Sequence, residues 1–189
     1  MGIHTVTRRA VFLDRDGVLN RAVVHNGKPY PPSGLEDLEI PPGVGKACRD
    51  LHQAGFVLIM VTNQPDVARG TQTRAGVDAI NQVLLDRLGL DEIKVCYHDD
   101  SDNCRCRKPK PGLILEAAHD WTIDLTASFV VGDRWKDIEA GRRAGCSTIF
   151  IQNGYSEVSP KTFDKLARSL TDAADWILQK TTSLKGEQK

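Results

Sequence analysis

The 189-residue sequence has no long apolar run. Its longest, Phe56 to Val61, falls far short of the roughly 20 residues a helix needs to cross a bilayer. It has no charge excess either. Lys plus Arg and Asp plus Glu both total 25, so no global field points to nucleic acid or to an acidic membrane as partner. The opening MGIHTVTRRA lacks the apolar core of a secretory signal, and the cytosol is the expected setting. There the five cysteines are expected as thiols or metal ligands, not disulfides. There is no internal repeat and no linker. One domain is expected over 1–189, with a body of about 10–180 and a frayed polar tail, TTSLKGEQK, over 181–189.

What is present begins with AVFLDRDGVLN, residues 10–20. Ala10 to Leu13 reads as a strand buried on both faces of a parallel sheet. Asp14 stands at its carboxyl end, where open α/β sheets bind ligands. Asp16 follows two positions later. Two carboxylates this close repel unless a cation or a shared proton separates them. Taken alone, the stretch is equally readable as a strand leaving the core through a solvated acidic turn.

Further along, strand-like and helix-like segments alternate. Residues 21–42, with Pro29, Pro31, Pro32, Pro41 and Pro42, read as an irregular surface loop. Val44, Ala47, Cys48, Leu51 and Ala54 recur at helical spacing before Gly55. Phe56 to Val61 is a second strand, ending at Thr62. Thr73 caps a helix through Leu88, and Gly89 stops it. Glu92 to Cys96 is a third strand, and Pro111 opens the next helix. Ser128 to Val131 is a fourth strand, followed by Asp133 and a helix over about Trp135 to Ala144. Cys146 to Ile151 is a fifth strand, and a last helix covers Asp172 to Gln179, packed through Trp176 and Leu178. Such alternation predicts an α/β fold, a Rossmann-like three-layer sandwich with a central parallel sheet.

In one parallel sheet the endings Asp14, Thr62-Asn63 and Asp133 share an edge. Singly, Thr62 is a strand cap and Asp133 a helix cap. Together they form a constellation. The carboxylates Asp14, Asp16 and Asp133 suit a hard divalent cation, Mg²⁺ first, because it takes a few carboxylates and leaves room for water or phosphate. A carboxylate there can attack phosphorus. Such chemistry also needs positive charge, which Arg107-Lys108 can supply, and a proton for the leaving alkoxide.

Cys96-x-His98, five residues, then Cys104-x-Cys106 is a complete tetrahedral set for structural Zn²⁺. With four protein ligands no position stays open for water. The zinc is expected to shape the loop that presents Arg107 and Lys108. Cys48 and Cys146 fall on apolar faces and read as core residues.

AVFLDRDGVLN, MVTNQ, CRCRKPKPG and VVGDRWKD together resemble the haloacid dehalogenase superfamily of phosphatases, and the zinc loop resembles its small capless branch, which acts on heptose bisphosphate or on histidinol phosphate. The likeness covers roughly residues 10–155. It implies a Mg²⁺-dependent phosphomonoesterase with an aspartyl-phosphate intermediate. It casts Asp14 as nucleophile and Asp16 as general acid/base. Thr62 and Lys108 hold the phosphoryl group, and Asn63, Arg107 and Arg134 face the substrate. Asp14, the Asp16 backbone and Asp133 bind Mg²⁺. The implied partner is a small phosphorylated metabolite, a sugar phosphate first, with no nucleic acid or membrane, and the chain is expected as a monomer. Val67-Ala68-Arg69-Gly70 favours the heptose substrate. RAVVHNGKPYPPSG departs from the Asp-His-Gly pattern of the heptose branch, and Pro65 stands where a small residue is common. The competing class is a non-catalytic, zinc-stapled binding module.

Overall fold

The computed structural model describes residues 7–186. Five strands of the expected kind are present: β1 (Arg9–Leu13), β4 (Phe56–Asn63), β5 (Glu92–Cys96), β6 (Phe129–Gly132) and β7 (Ser147–Ile151). A short sixth, β8 (Lys165–Ala167), joins them, and all neighbours run parallel in the order β5-β4-β1-β6-β7-β8.

Side chains along a strand alternate faces, so each central strand feeds two cores. Val11 and Leu13 of β1 and Leu58 and Met60 of β4 pack on one face. There they meet α1 (Val44–Gln53), α2 (Arg74–Leu88) and α5 (Leu170–Gly186). Ala10, Phe12, Val57, Ile59 and Val61 face the other way, against α3 (Gly112–Trp121) and α4 (Trp135–Ala144). Each fully buried Leu or Phe here contributes roughly 1.5–3 kcal/mol. The result is the expected three-layer sandwich. Among the described residues no helix is long and apolar enough to cross a membrane.

Local chemistry explains the helix ends. Thr73 Oγ1 accepts the Gly76 N–H at 3.1 Å, as an N-cap hydroxyl does. Trp176 meets Phe129 edge-on, with centroids 6.1 Å apart, and anchors α5.

Two expectations are corrected, and one strand is added. Residues 21–42 are not wholly irregular: β2 (Val23–His25) and β3 (Lys28–Tyr30) pair as a hairpin. The signal was Asn26-Gly27, the dipeptide that accepts two consecutive positive φ values, here 51° and 73°. The last helix is longer than Asp172 to Gln179, and most of the expected frayed tail continues it to Gly186. Residues 187–189 lie outside the described residues. β8 gave no pattern, because three residues are too few for a period to register.

Candidate active site

The carboxyl edge of the sheet carries the site. Leu13 pairs with Val131 of β6, and the Asp14 N–H continues that ladder to the Val131 carbonyl at 3.0 Å. Asp14 and Asp133 therefore leave adjacent strands side by side. The chain turns sharply after Asp16 through Gly17, at φ +89°. A Cβ there would lie 1.7 Å from Asp133 Oδ2, so only glycine lets the turn pass this close.

Three carboxylates converge, and they are not the expected three. Asp14, Asp133 and Asp137 are all buried and offer oxygens within 4.8 Å of one another. Asp137 enters from the first turn of α4, where its Oδ2 accepts the Arg134 N–H at 3.0 Å. That capping duty is what its sequence position signals, and its second oxygen supplies the rest. The Asp16 carboxylate turns away from the cluster. It accepts from Arg15 Nε at 3.1 Å, Asn20 Nδ2 at 3.0 Å and Gln64 Nε2 at 2.9 Å.

Lys108 Nζ lies at the centre, 2.6 Å from both Asp14 Oδ1 and Asp137 Oδ1, and donates to the Val61 carbonyl at 2.9 Å. Three acceptors match the three protons of the ammonium. Its side chain is only 4% exposed. Three carboxylates against one ammonium leave two negative charges in a buried space. Burial first, and Asp137 second, push the Asp14 carboxyl up to about 6, against the opposing pull of Lys108. Burial and then Asp14 raise Asp133 as well. Asp133 Oδ2 accepts from Asn153 Nδ2 at 3.1 Å, and Tyr155 also bonds this carboxylate. Asp133 Oδ1 is buried and has no hydrogen-bond partner among the described residues. An orphaned carboxylate oxygen beside two others, with excess negative charge, fits a hard divalent cation.

Thr62 Oγ1 accepts from Gln64 Nε2 at 2.9 Å, the same amide that holds Asp16. Gln64 was not singled out from sequence. Asn63 exchanges two 3.1 Å hydrogen bonds with the Lys108 backbone, one each way, and so ties β4 to the loop carrying that lysine. Arg107 Nε donates to Asp100 Oδ1 at 2.7 Å, and its Nη1 to the His98 carbonyl at 3.2 Å. Arg134 grips Glu157 with two bonds of 2.8 and 2.6 Å. Asp14, Asp16, Thr62, Asn63, Gln64, Arg107, Lys108, Arg134 and Asp137 line a cavity of about 310 Å³ that Lys28, Pro29 and Tyr30 of the hairpin also edge.

Beside it, Cys96, His98, Cys104 and Cys106 gather as the spacing implied. Sulfur separations are 3.7 Å for Cys96–Cys104, 3.1 Å for Cys96–Cys106 and 3.4 Å for Cys104–Cys106. His98 Nδ1 lies 3.2 Å from Cys106 Sγ and 3.6 Å from Cys96 Sγ. A tetrahedron with metal–sulfur bonds of ~2.3 Å has edges of about 3.8 Å, so the cluster is close to the size a zinc ion needs. Burial pushes the Cys96 thiol up, a trend that coordination reverses by deprotonating the sulfur. Lys110 Nζ stitches the loop to the Asn103 side chain at 2.7 Å and the Cys104 carbonyl at 2.8 Å. Arg69 Nε and Nη2 reach Asp99 at 2.9 and 2.6 Å.

A carboxylate at the end of the first strand, a buried lysine against it and an acid pair at a later strand end fit one class: capless phosphatases built on a parallel α/β sheet. Comparisons agree. A family model for HAD-hydrolase-like proteins matches residues 105–177. The D-glycero-beta-D-manno-heptose-1,7-bisphosphate 7-phosphatase of Yersinia pestis is 36% identical over 190 residues, covering 93% of this chain and 92% of that one. Its namesake from Rhodopseudomonas palustris is 38% identical over 150 residues, 73% of this chain and 80% of its own. The crystal structure of D,D-heptose 1,7-bisphosphate phosphatase from B. bronchiseptica, complexed with magnesium and phosphate, superposes with a TM-score of 0.77. It is 30% identical and covers 91% of this chain and 99% of its own. The chain belongs to the haloacid dehalogenase-like phosphatases, in the family of the heptose-bisphosphate 7-phosphatases. It is a phosphoric monoester hydrolase.

Proposed function

We propose that the chain removes the 7-phosphate of D-glycero-D-manno-heptose 1,7-bisphosphate, with Asp14 as nucleophile. The observation that carries this reading is the buried Asp14–Lys108 contact of 2.6 Å beside Asp133, whose Oδ1 has no partner among the described residues. Asp14 attacks phosphorus, and the bond from phosphorus to the sugar oxygen breaks. The departing oxygen takes its electron pair and a proton from Asp16. Asp16 then removes a proton from water. That water attacks phosphorus, the aspartyl–phosphate bond breaks, and inorganic phosphate leaves with Asp14 restored. Thr62 and Lys108 hold the phosphoryl oxygens, and Arg107 and Arg134 face the sugar, with Asn63 holding the loop. When bound by Asp14, Asp133 and the Asp16 backbone, with Asp137 alongside, Mg²⁺ supplies positive charge against the phosphoryl oxygens.

Zn²⁺ on Cys96, His98, Cys104 and Cys106 has a structural task, holding the loop that carries Arg107 and Lys108. The second phosphate of a bisphosphate favours the same reading. Arg69, Arg107 and Arg134 at the cavity are each committed to a carboxylate, whereas Lys28 at its mouth has none within ion-pair distance among the described residues. The cytosol suits a zinc thiolate site. A single-domain monomer suffices, because one chain brings every named group together. A non-catalytic binding module has no need of a buried nucleophile and lysine in contact.

Steady-state phosphate release from heptose 1,7-bisphosphate, heptose monophosphates and histidinol phosphate, with and without Mg²⁺, tests the proposal. We expect Mg²⁺-dependent turnover fastest on the bisphosphate. A preference for histidinol phosphate overturns the substrate, and no turnover of any ester overturns the activity.

A further inference from the structure

The side chain of Asn81 lies on α2, outside the cavity, on a helix face otherwise built from Val77, Ile80, Leu84 and Leu88. It is 4% exposed, an unusual place for an amide unless something satisfies it. Its Oδ1 accepts from Arg15 Nη1 at 3.0 Å. Arg15 is fully buried, and its other edge faces Asp16: Nε lies 3.1 and 3.2 Å from the two carboxylate oxygens, and Nη2 lies 3.0 Å from Oδ2. A guanidinium is a rigid planar fork, so fixing one end fixes the direction of the other. Asn20 and Gln64 complete the grip on Asp16 from β1's far turn and from the end of β4.

We infer that Asn81 and Arg15 are positioning residues that aim the Asp16 carboxyl at the leaving-group oxygen, so that α2 takes part in the reaction without touching substrate. The inference rests on the reading of Asp16 as general acid/base. Without the Asn81 acceptor, Arg15 Nη1 is left buried and unpaired, and the guanidinium must rotate to find another partner. Asp16 then loses its fixed aim, while Asp14, Lys108 and Asp133 keep their own contacts. A purely structural bridge between the first turn and α2 would instead weaken every step alike.

The experiment measures turnover of Asn81→Leu, Asn81→Asp and Asp16→Asn on an alkyl phosphate and on p-nitrophenyl phosphate, whose leaving group needs little protonation, with thermal midpoints for each. Asn81→Leu should lower kcat on the alkyl ester about tenfold, with KM and the aryl ester within about twofold. Asn81→Asp, which keeps an acceptor for Arg15, should restore the alkyl rate. Asn81→Ser, smaller and able to admit water, serves where the leucine variant does not fold. Equal losses on both esters in the Asn81 variants, with a selective loss in Asp16→Asn, overturn the inference and leave the role of Asp16 standing. Equal losses in Asp16→Asn overturn that role and the inference with it.

Discussion

The acid cluster and the thiol–imidazole loop sit at the same edge of the sheet and are built in opposite ways. Asp14, Lys108 and Asp133 come from three distant parts of the chain; the two acids stand at the ends of strands buried on both faces, and the lysine reaches them from the loop after β5. The cysteines and His98 come from eleven consecutive residues, and His98 is exposed. In the acid cluster Lys108 offsets one of the three carboxylates, and a divalent cation would offset the rest. The loop has few apolar residues and is tied by polar bonds from Lys110, Arg69 and Arg107, so a metal there would add the one compact centre it lacks. One cluster is chemistry that the core supports; the other supports the loop that brings Arg107 and Lys108 to the chemistry.

The sharpest way to break this contrast is Asp14→Asn. The amide is nearly isosteric and a poor nucleophile, so turnover should fall by roughly 10³-fold or more with circular dichroism unchanged. Substantial residual phosphatase activity would remove Asp14 from the role of nucleophile.

Cys104→Ser tests the other side. About one zinc per chain should co-purify with the unaltered protein, and the variant should lose it, a ratio metal analysis reads directly. Displacement of Arg107 and Lys108 should cost roughly 10²-fold in kcat/KM, while turnover still requires Mg²⁺. A zinc-free, fully active variant would make the four ligands incidental.

A smaller effect is expected at the rim. Lys28→Ala should lower kcat/KM on the bisphosphate about fivefold, because an exposed charge contact is worth about 1 kcal/mol at most, and leave monophosphates unaffected. Equal change on both would detach the hairpin from substrate choice.

The smallest effect concerns stability. Asp14 is raised to about 6 and Asp133 is raised too, chiefly by burial. The folded state thus binds protons more tightly than the unfolded chain, and the associated stability is present at low pH and lost as pH rises through about 6. A bound cation offsets that loss only where the carboxylates are ionised. Mg²⁺ should raise the Tm of chelator-treated protein by a few degrees more at about pH 7.5 than at about pH 5. Equal shifts at both values would mean that the acids are ionised throughout.

Sequence alone determined whatever depends on neighbours along the chain. The apolar run ending at Asp14, the helix stops at Gly55 and Gly89, and the four thiol and imidazole positions are local patterns, and local patterns carry their own period or spacing. Tertiary structure decided what depends on partners far away. Asp137 reads as an ordinary first-turn acid of α4, and only Lys108, brought in across the sheet edge, makes it part of the cluster. Asp16 reads as a third ligand, yet Arg15, Asn20 and Gln64 take its carboxylate. Asn81 reads as one polar residue on a helix until β1's turn lays Arg15 against it. In each case the side chain's role follows from which polar and charged groups share its low-dielectric surroundings, and packing brings such groups together from separations as large as the 94 residues between Asp14 and Lys108.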